Sequence, residues 1–203
     1  VEGGTEEERR TFYSSLYHAY LMPSVHSDAD GSFRGHDGAV KPPGGFRFVS
    51  DLSLWDTYRT VHPLYALLAP ELARDSVRSL HQMAKDRGFF PKWPLAGGDS
   101  GSMIGQGVDL LFAEAYVKGL RDTDDTARYQ ALRAAALAEG TFPRGRGGRD
   151  NDDGYRTLSY QPRARGSAVS QTLEWNHDDW ALAQFASALG RGDDAALFSA
   201  RAS

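Results

Sequence analysis

Phe46-Arg-Phe-Val-Ser-Asp-Leu-Ser-Leu-Trp-Asp-Thr-Tyr-Arg59 joins a short β-prone run, residues 46–49, to the start of a helix. Ser53 is a favoured N-cap residue. Asp56, three residues on, turns a carboxylate towards the unpaired amide donors of the first turn. Trp55, Asp56 and Arg59 then occupy i, i+1 and i+4 at one helix mouth. An aromatic plane, an acceptor and a fork of donors suit a polyhydroxylated ligand, which needs a ring to stack on and fixed partners for its hydroxyls. The same pattern also suits a core indole, a capping carboxylate and its arginine partner. Spacing alone leaves both readings open.

Working outward, the apolar stripe Leu54, Tyr58, Val61, Tyr65 and Leu68 predicts a helix over residues 54–69, kinked at Pro63. Upstream, Thr5-Glu-Glu-Glu8 is a capping box that opens a helix with an aromatic-rich face (Phe12, Leu16, Tyr17, Tyr20, Leu21) ending at Pro23. Residues 24–45 hold many Gly, Asp, Ser and Pro and no helical period, which predicts a long loop lining something. Downstream, Pro70 restarts a helix that Gly88 ends, and residues 89–102 form a second long loop. Gly105 and Gly107 at the next helix start point to close packing or to a ligand near the backbone. Thr123 caps an Ala-rich helix reaching residue 139 and closed by Gly140, and residues 141–166 read as exposed. A helix over residues 170–189 and another from Asp193 complete the pattern. About seven helices, with long loops alternating with tight turns, predict an all-α protein. The architecture expected is a partial (α/α)6 toroid with long cleft-lining loops.

With 203 residues, 40% hydrophobic and 25% charged, the chain can build one ordinary core. The net charge of −4 supplies no basic footprint for nucleic acid or an anionic membrane surface. No run approaches the roughly 20 apolar residues of a membrane span. The lack of cysteine excludes disulfides, thiolate catalysis and thiolate-bound zinc. Val1 without Met, and a last helix with nothing closing the architecture after it, set the expectation of a piece of a longer chain.

Other polar groupings have plain readings. Asp28-Ala-Asp-Gly31 lacks the third acidic position and closing Glu of a calcium loop, and Asn151-Asp-Asp-Gly154 reads as a turn. Glu174-Trp-Asn-His-Asp-Asp-Trp180 has no metal-ligand spacing; Glu174, His177 and Asp178 should share a helix face in a network between helices, with Trp180 elsewhere. His18, His62 and His81 read as satisfied structural histidines. Twenty-seven acidic residues give no way to choose a general acid and base by pattern.

Several motifs agree on one family. Phe12-Tyr-Ser-Ser-Leu-Tyr-His18 with Pro23, Ser27-Asp-Ala-Asp-Gly31, Arg34-Gly35, Ser53-Leu-Trp-Asp-Thr-Tyr-Arg59 with His62-Pro63, and Pro91-Lys-Trp93 come first. Met103-Ile-Gly105, Ala115-Tyr-Val-Lys-Gly119, Ser170-Gln-Thr-Leu-Glu-Trp175 and Asp178-Asp-Trp180 follow in order. Together they resemble the barrel domain of glycoside hydrolase family 92, the α-mannosidases. The resemblance implies inverting hydrolysis of α-mannosides, with calcium as cofactor, in a secreted or periplasmic enzyme. It places residues 1–203 within a single α/α barrel catalytic domain, with an N-terminal β-sandwich and the other half of the barrel outside them. By the same resemblance Trp55, Asp56 and Arg59 are expected to contact mannose. Asp99, in a loop where many relatives carry Asn-Glu-Thr, is expected to border the cleft.

The family's Glu-Gly-Asn-x-Trp-Gln-Tyr, Asn-Glu-Pro and Gly-Asn-x-Asp-x-Gly-Gln-Met-Ser segments are not in this sequence. No catalytic acid, base or calcium ligand is therefore assigned to it, and these residues alone are expected to be inert. A non-catalytic carbohydrate-binding or scaffolding toroid, and a toroid glycosidase of another specificity, are the competing readings.

Overall fold

The computed structural model describes residues 2–137, 149, 153–163 and 166–202. The capping box forms as expected: Thr5 opens α1 (Glu6–Ala19), its hydroxyl taking the Glu8 amide while the Glu8 carboxylate takes the Thr5 amide. None of α1's residues is buried, and Phe12, Tyr13 and Tyr17 stay exposed.

Residues 24–45 are more ordered than a plain loop. β1 (Ser24–Val25), β2 (Phe33–Arg34), β3 (Val40–Lys41) and β4 (Val49–Ser50) form two antiparallel pairs, β2 with β3 and β1 with β4, with Ser24 opposite Ser50. Only the end of the β-prone run 46–49 is strand, because that is where a partner strand lies.

The single kinked helix expected over 54–69 is two helices, α2 (Leu54–Thr57) and α3 (Val61–Leu68). Pro63 falls in the first turn of α3, where its missing N–H is one that no intrahelical bond would have used. The proline therefore begins a helix rather than bending one. α4 (Pro70–Arg87) starts at its proline and closes at Gly88 in the left-handed region, φ 76°.

β5 (Pro94–Leu95) and β6 (Gly98–Asp99) make a hairpin within the second expected loop. The remaining elements are α5 (Gly107–Val117), α6 (Asp125–Leu137), α7 (Asp153–Leu158), α8 (Ala168–Ala188) and α9 (Gly192–Arg201). The described residues thus hold nine helices, against about seven expected; the split of residues 54–69 and α7 account for the difference. The expected closure at Gly140 and the turn at 151–152 lie outside the described residues. The expectation that residues 141–166 are exposed holds for residues 157–160, 163 and 166 but fails at Arg149, Tyr155 and Gln161, which are buried.

α5 is the axis of packing. Gly107 to Ala113 and Ala115 are all buried, as befits a helix covered on every side. α2, α3, α4, α6 and α8 all lean on it, and α8 in turn pairs with α9. The core joins Leu54, Leu80, Met83, Phe90, Phe112, Tyr129, Leu182, Phe185 and Phe198. Consecutive helices pair as hairpins, α3 with α4 and α8 with α9, so the chain is all-α in class and builds part of an α/α toroid.

Candidate functional site

The segment between β4 and α2 is pinned from one side by the β5–β6 hairpin. The Leu52 amide donates to the Pro94 carbonyl (3.1 Å), and the Asp51 carboxylate accepts the Ala96 amide (2.9 Å). Leu54, the first residue of α2, is fully buried against Gly107, where an added Cβ would lie only 3.1 Å from the Leu54 Cβ. Of the residues that follow, Trp55 is half-buried while Asp56 and Arg59 are exposed.

Two of the four expected contact residues, Trp55 and Arg59, touch each other here. The Arg59 guanidinium carbon sits 4.4 Å from the Trp55 ring centre and 4.6 Å from that of Tyr58. Its terminal nitrogens donate to the Tyr58 hydroxyl (2.6 Å) and to Glu174 Oε1 of α8 (2.9 Å). The Trp55 ring thus already carries a cation, and its indole N–H is buried with no hydrogen-bond partner. Ser53 makes no cap hydrogen bond; its hydroxyl donates instead to the Asp56 carboxylate.

Asp99 is elsewhere: its carboxylate accepts the backbone amides of Trp93 (2.9 Å), Lys92 (3.3 Å) and Gly101 (3.3 Å), holding the hairpin. No hydrogen bond or ion pair joins it to Trp55, Asp56 or Arg59 among the described residues.

Two residues that sequence reasoning did not place at this mouth are central to it. Tyr58 Oη lies 3.4 Å from both Glu174 Oε2 and His177 Nδ1. Burial, then the Glu174 charge, pushes the Tyr58 phenol up to about 12, so it remains a neutral hydroxyl. Burial lowers the His177 imidazole, with Glu174 opposing and Arg59 assisting, so near neutral pH its Nδ1 can act as an acceptor. The signal was the shared face of Glu174 and His177, one helical turn apart; what it faced was not legible. Trp180 does not point away from them. Its ring centre lies 5.8 Å from that of His177, and both line a groove of about 610 Å³ with Tyr58, Arg59, Pro63 and Leu110.

Beneath the mouth lies a buried ionic lattice. Arg149 donates to Asp109 (3.0 Å) and to Asp179, while Asp179 also takes Tyr155 (2.9 Å) and Arg201. Burial works to raise the Asp179 carboxyl, but Arg149 and Arg201 outweigh it and hold it below the usual range. Asp178 is different. It accepts only the Gln106 amide (2.8 Å), its other oxygen has no partner, and burial followed by Asp109 pushes its carboxyl well up. One smaller expectation is corrected. His62 is buried with neither ring nitrogen partnered, so it is not a satisfied histidine. Residues 28–32 form a turn in which Asp30 accepts the Ser32 amide (2.9 Å).

The family model described as the glycosyl hydrolase family 92 catalytic domain matches residues 1–203. The chain belongs to glycosyl hydrolase family 92. Among solved family 92 structures, the α-mannosidase BT3965 from Bacteroides thetaiotaomicron is 32% identical, with a TM-score of 0.91 over 100% of this chain and 27% of that one. The inverting mannosidase BT2199 from the same organism is 34% identical, TM-score 0.89, over 100% of this chain and 28% of that one. BT3965 in complex with mannoimidazole gives 33% identity and a TM-score of 0.87, over 96% of this chain and 25% of that one. The chain therefore spans about a quarter of the length of these family 92 relatives. No curated protein sequence matches. No helix among the described residues is long and apolar enough to cross a membrane.

Proposed function

We infer that this chain supplies part of the substrate-binding wall of an α-mannosidase, and that Trp55, Asp56 and Arg59 contact a mannose ring. The observation that carries the reading is the exposed Asp56 carboxylate next in the chain to the Trp55 indole, with the Arg59 guanidinium carbon held 4.4 Å from that ring's centre. The exposed carboxylate can accept from one pyranose hydroxyl while a guanidinium N–H not used by Tyr58 or Glu174 donates to its neighbour. The mannoimidazole-bound relative and the inverting relative support the substrate class and an inverting outcome. Asp99 contributes by shaping the neighbouring hairpin.

Calcium dependence belongs to this reading through the resemblance. Among the described residues no three His, Asp or Glu side chains converge so as to hold an ion, so no calcium ligand is assigned here and no step is derived through the metal. A secreted or periplasmic site of action rests on the resemblance alone. Hydrolysis itself falls to the family's acid and base segments, which this sequence lacks, so the 203 residues alone bind without cleaving.

The test is Asp56→Ala in an active enzyme containing this chain. Loss of a charged ligand contact should lower kcat/KM on an aryl α-mannoside by about 2–4 kcal/mol of transition-state binding. Unchanged kinetics would return Asp56 to the part of a helix-start residue. Cleavage by the 203 residues alone, at a rate comparable to a full-length relative, would show that the catalytic groups are misplaced.

A further inference from the structure

Arg59 follows a helix of four residues, and no regular element of its own holds its side chain. It is 41% exposed, and a free arginine there would sample many rotamers. Its order comes from α8, 115 residues further along the chain. Glu174 takes one terminal nitrogen at 2.9 Å, Tyr58 takes the other at 2.6 Å, and Glu174 also reaches Tyr58 at 3.4 Å. Glu174 is itself set in place. Its side chain is 14% exposed and its Cβ lies against Gly105, where any Cβ would stand 2.9 Å away.

We propose that Glu174 is the positioning and charge-selecting residue of the mouth, fixing Arg59 over Trp55 and cancelling its charge so that neutral hydroxylated rings are taken in preference to anionic sugars. This rests on the reading of Trp55, Asp56 and Arg59 as sugar contacts. Two of the five guanidinium N–H donors are spent on Tyr58 and Glu174, leaving three for ligand oxygens. Because the fork is ordered before the ligand arrives, its rotamer entropy is not lost on binding. Because the nearest carboxylate already pairs with it, a phosphate or carboxylate on the sugar meets a neutral pair rather than a free cation.

The experiment is calorimetric titration of the chain with methyl α-mannoside and with mannose 6-phosphate, for the native protein, Glu174→Gln, Arg59→Ala, Asp56→Ala and the Arg59→Ala/Glu174→Gln double variant. Glu174→Gln keeps the shape and one acceptor. It should weaken methyl α-mannoside by roughly 3- to 10-fold, tighten mannose 6-phosphate by at least about 3-fold, and add nothing once Arg59 is Ala, as coupled residues behave. Relaxation of the Arg59 Nε–H signal reports the clamp without any ligand, and Glu174→Gln should mobilise it. Unchanged selectivity, or additive effects in the double variant, overturns the proposal. Mannoside binding that depends on Asp56 but is indifferent to Glu174 overturns positioning while leaving the mouth. Absence of mannoside binding in the native chain, or binding that survives Asp56→Ala, overturns the mouth and the proposal with it.

Discussion

Gly105→Ala isolates the contact that sets α8 against the mouth. Gly105 has φ 73°, in the left-handed region, and an added Cβ would come within 2.9 Å of the Glu174 Cβ and 3.3 Å of Glu174 Oε2. An L-residue in that backbone region costs about 1–2 kcal/mol. Overpacking adds about 1–3 kcal/mol, and the obstacle here is a Cβ fixed to the α8 backbone rather than the end of a flexible side chain. The lower entropy of unfolded Ala returns about 0.4–1 kcal/mol. The net loss is about 1–5 kcal/mol, or roughly 2–18 °C in melting temperature at this chain length.

Gly190 supplies the control. It has the same φ of 73°, but nothing lies within 4 Å of its added Cβ, so Gly190→Ala should show the backbone cost alone, about 1 kcal/mol. Urea unfolding of both variants, followed by far-ultraviolet circular dichroism, gives the difference directly. Equal losses at the two positions would refute the tight approach of residues 105 and 174. They would also remove the steric support for Glu174.

Asp178→Asn should flatten the alkaline side of the stability profile. The folded carboxyl is raised above its unfolded value near 4, so its contribution is full below that pH and is lost as pH rises towards the folded value. The urea midpoint of the native chain relative to Asp178→Asn should therefore fall as pH rises above about 4, and parallel profiles would show that Asp178 is not a buried acid. Asp179→Asn leaves the buried Arg149 and the partly exposed Arg201 facing an amide, and should cost about 3–5 kcal/mol by the same assay. Acidification should protonate His177 below the ordinary imidazole range and turn its Nδ1 from an acceptor into a donor facing Tyr58. With Glu174 and Arg59 the charged groups at that ring and Trp180 stacked beside it, mannoside affinity should drop at low pH, and His177→Gln should abolish the drop.

The sequence alone determined the helical class, the capping box at Thr5, and the proline start and glycine stop of α4. Those features depend on residues within a turn or two of each other, where spacing maps directly onto geometry. Gly105 and Gly107 announced a close approach, and tertiary structure decided that the neighbours are Glu174 and Leu54 rather than a ligand. It also decided that Arg59 covers the indole, that Asp99 serves its own hairpin, and that Glu174 and His177 belong to the mouth. Glu174 and His177 reach the mouth only through the packing of α8 on α5, which brings Glu174 to Arg59 across 115 residues of chain.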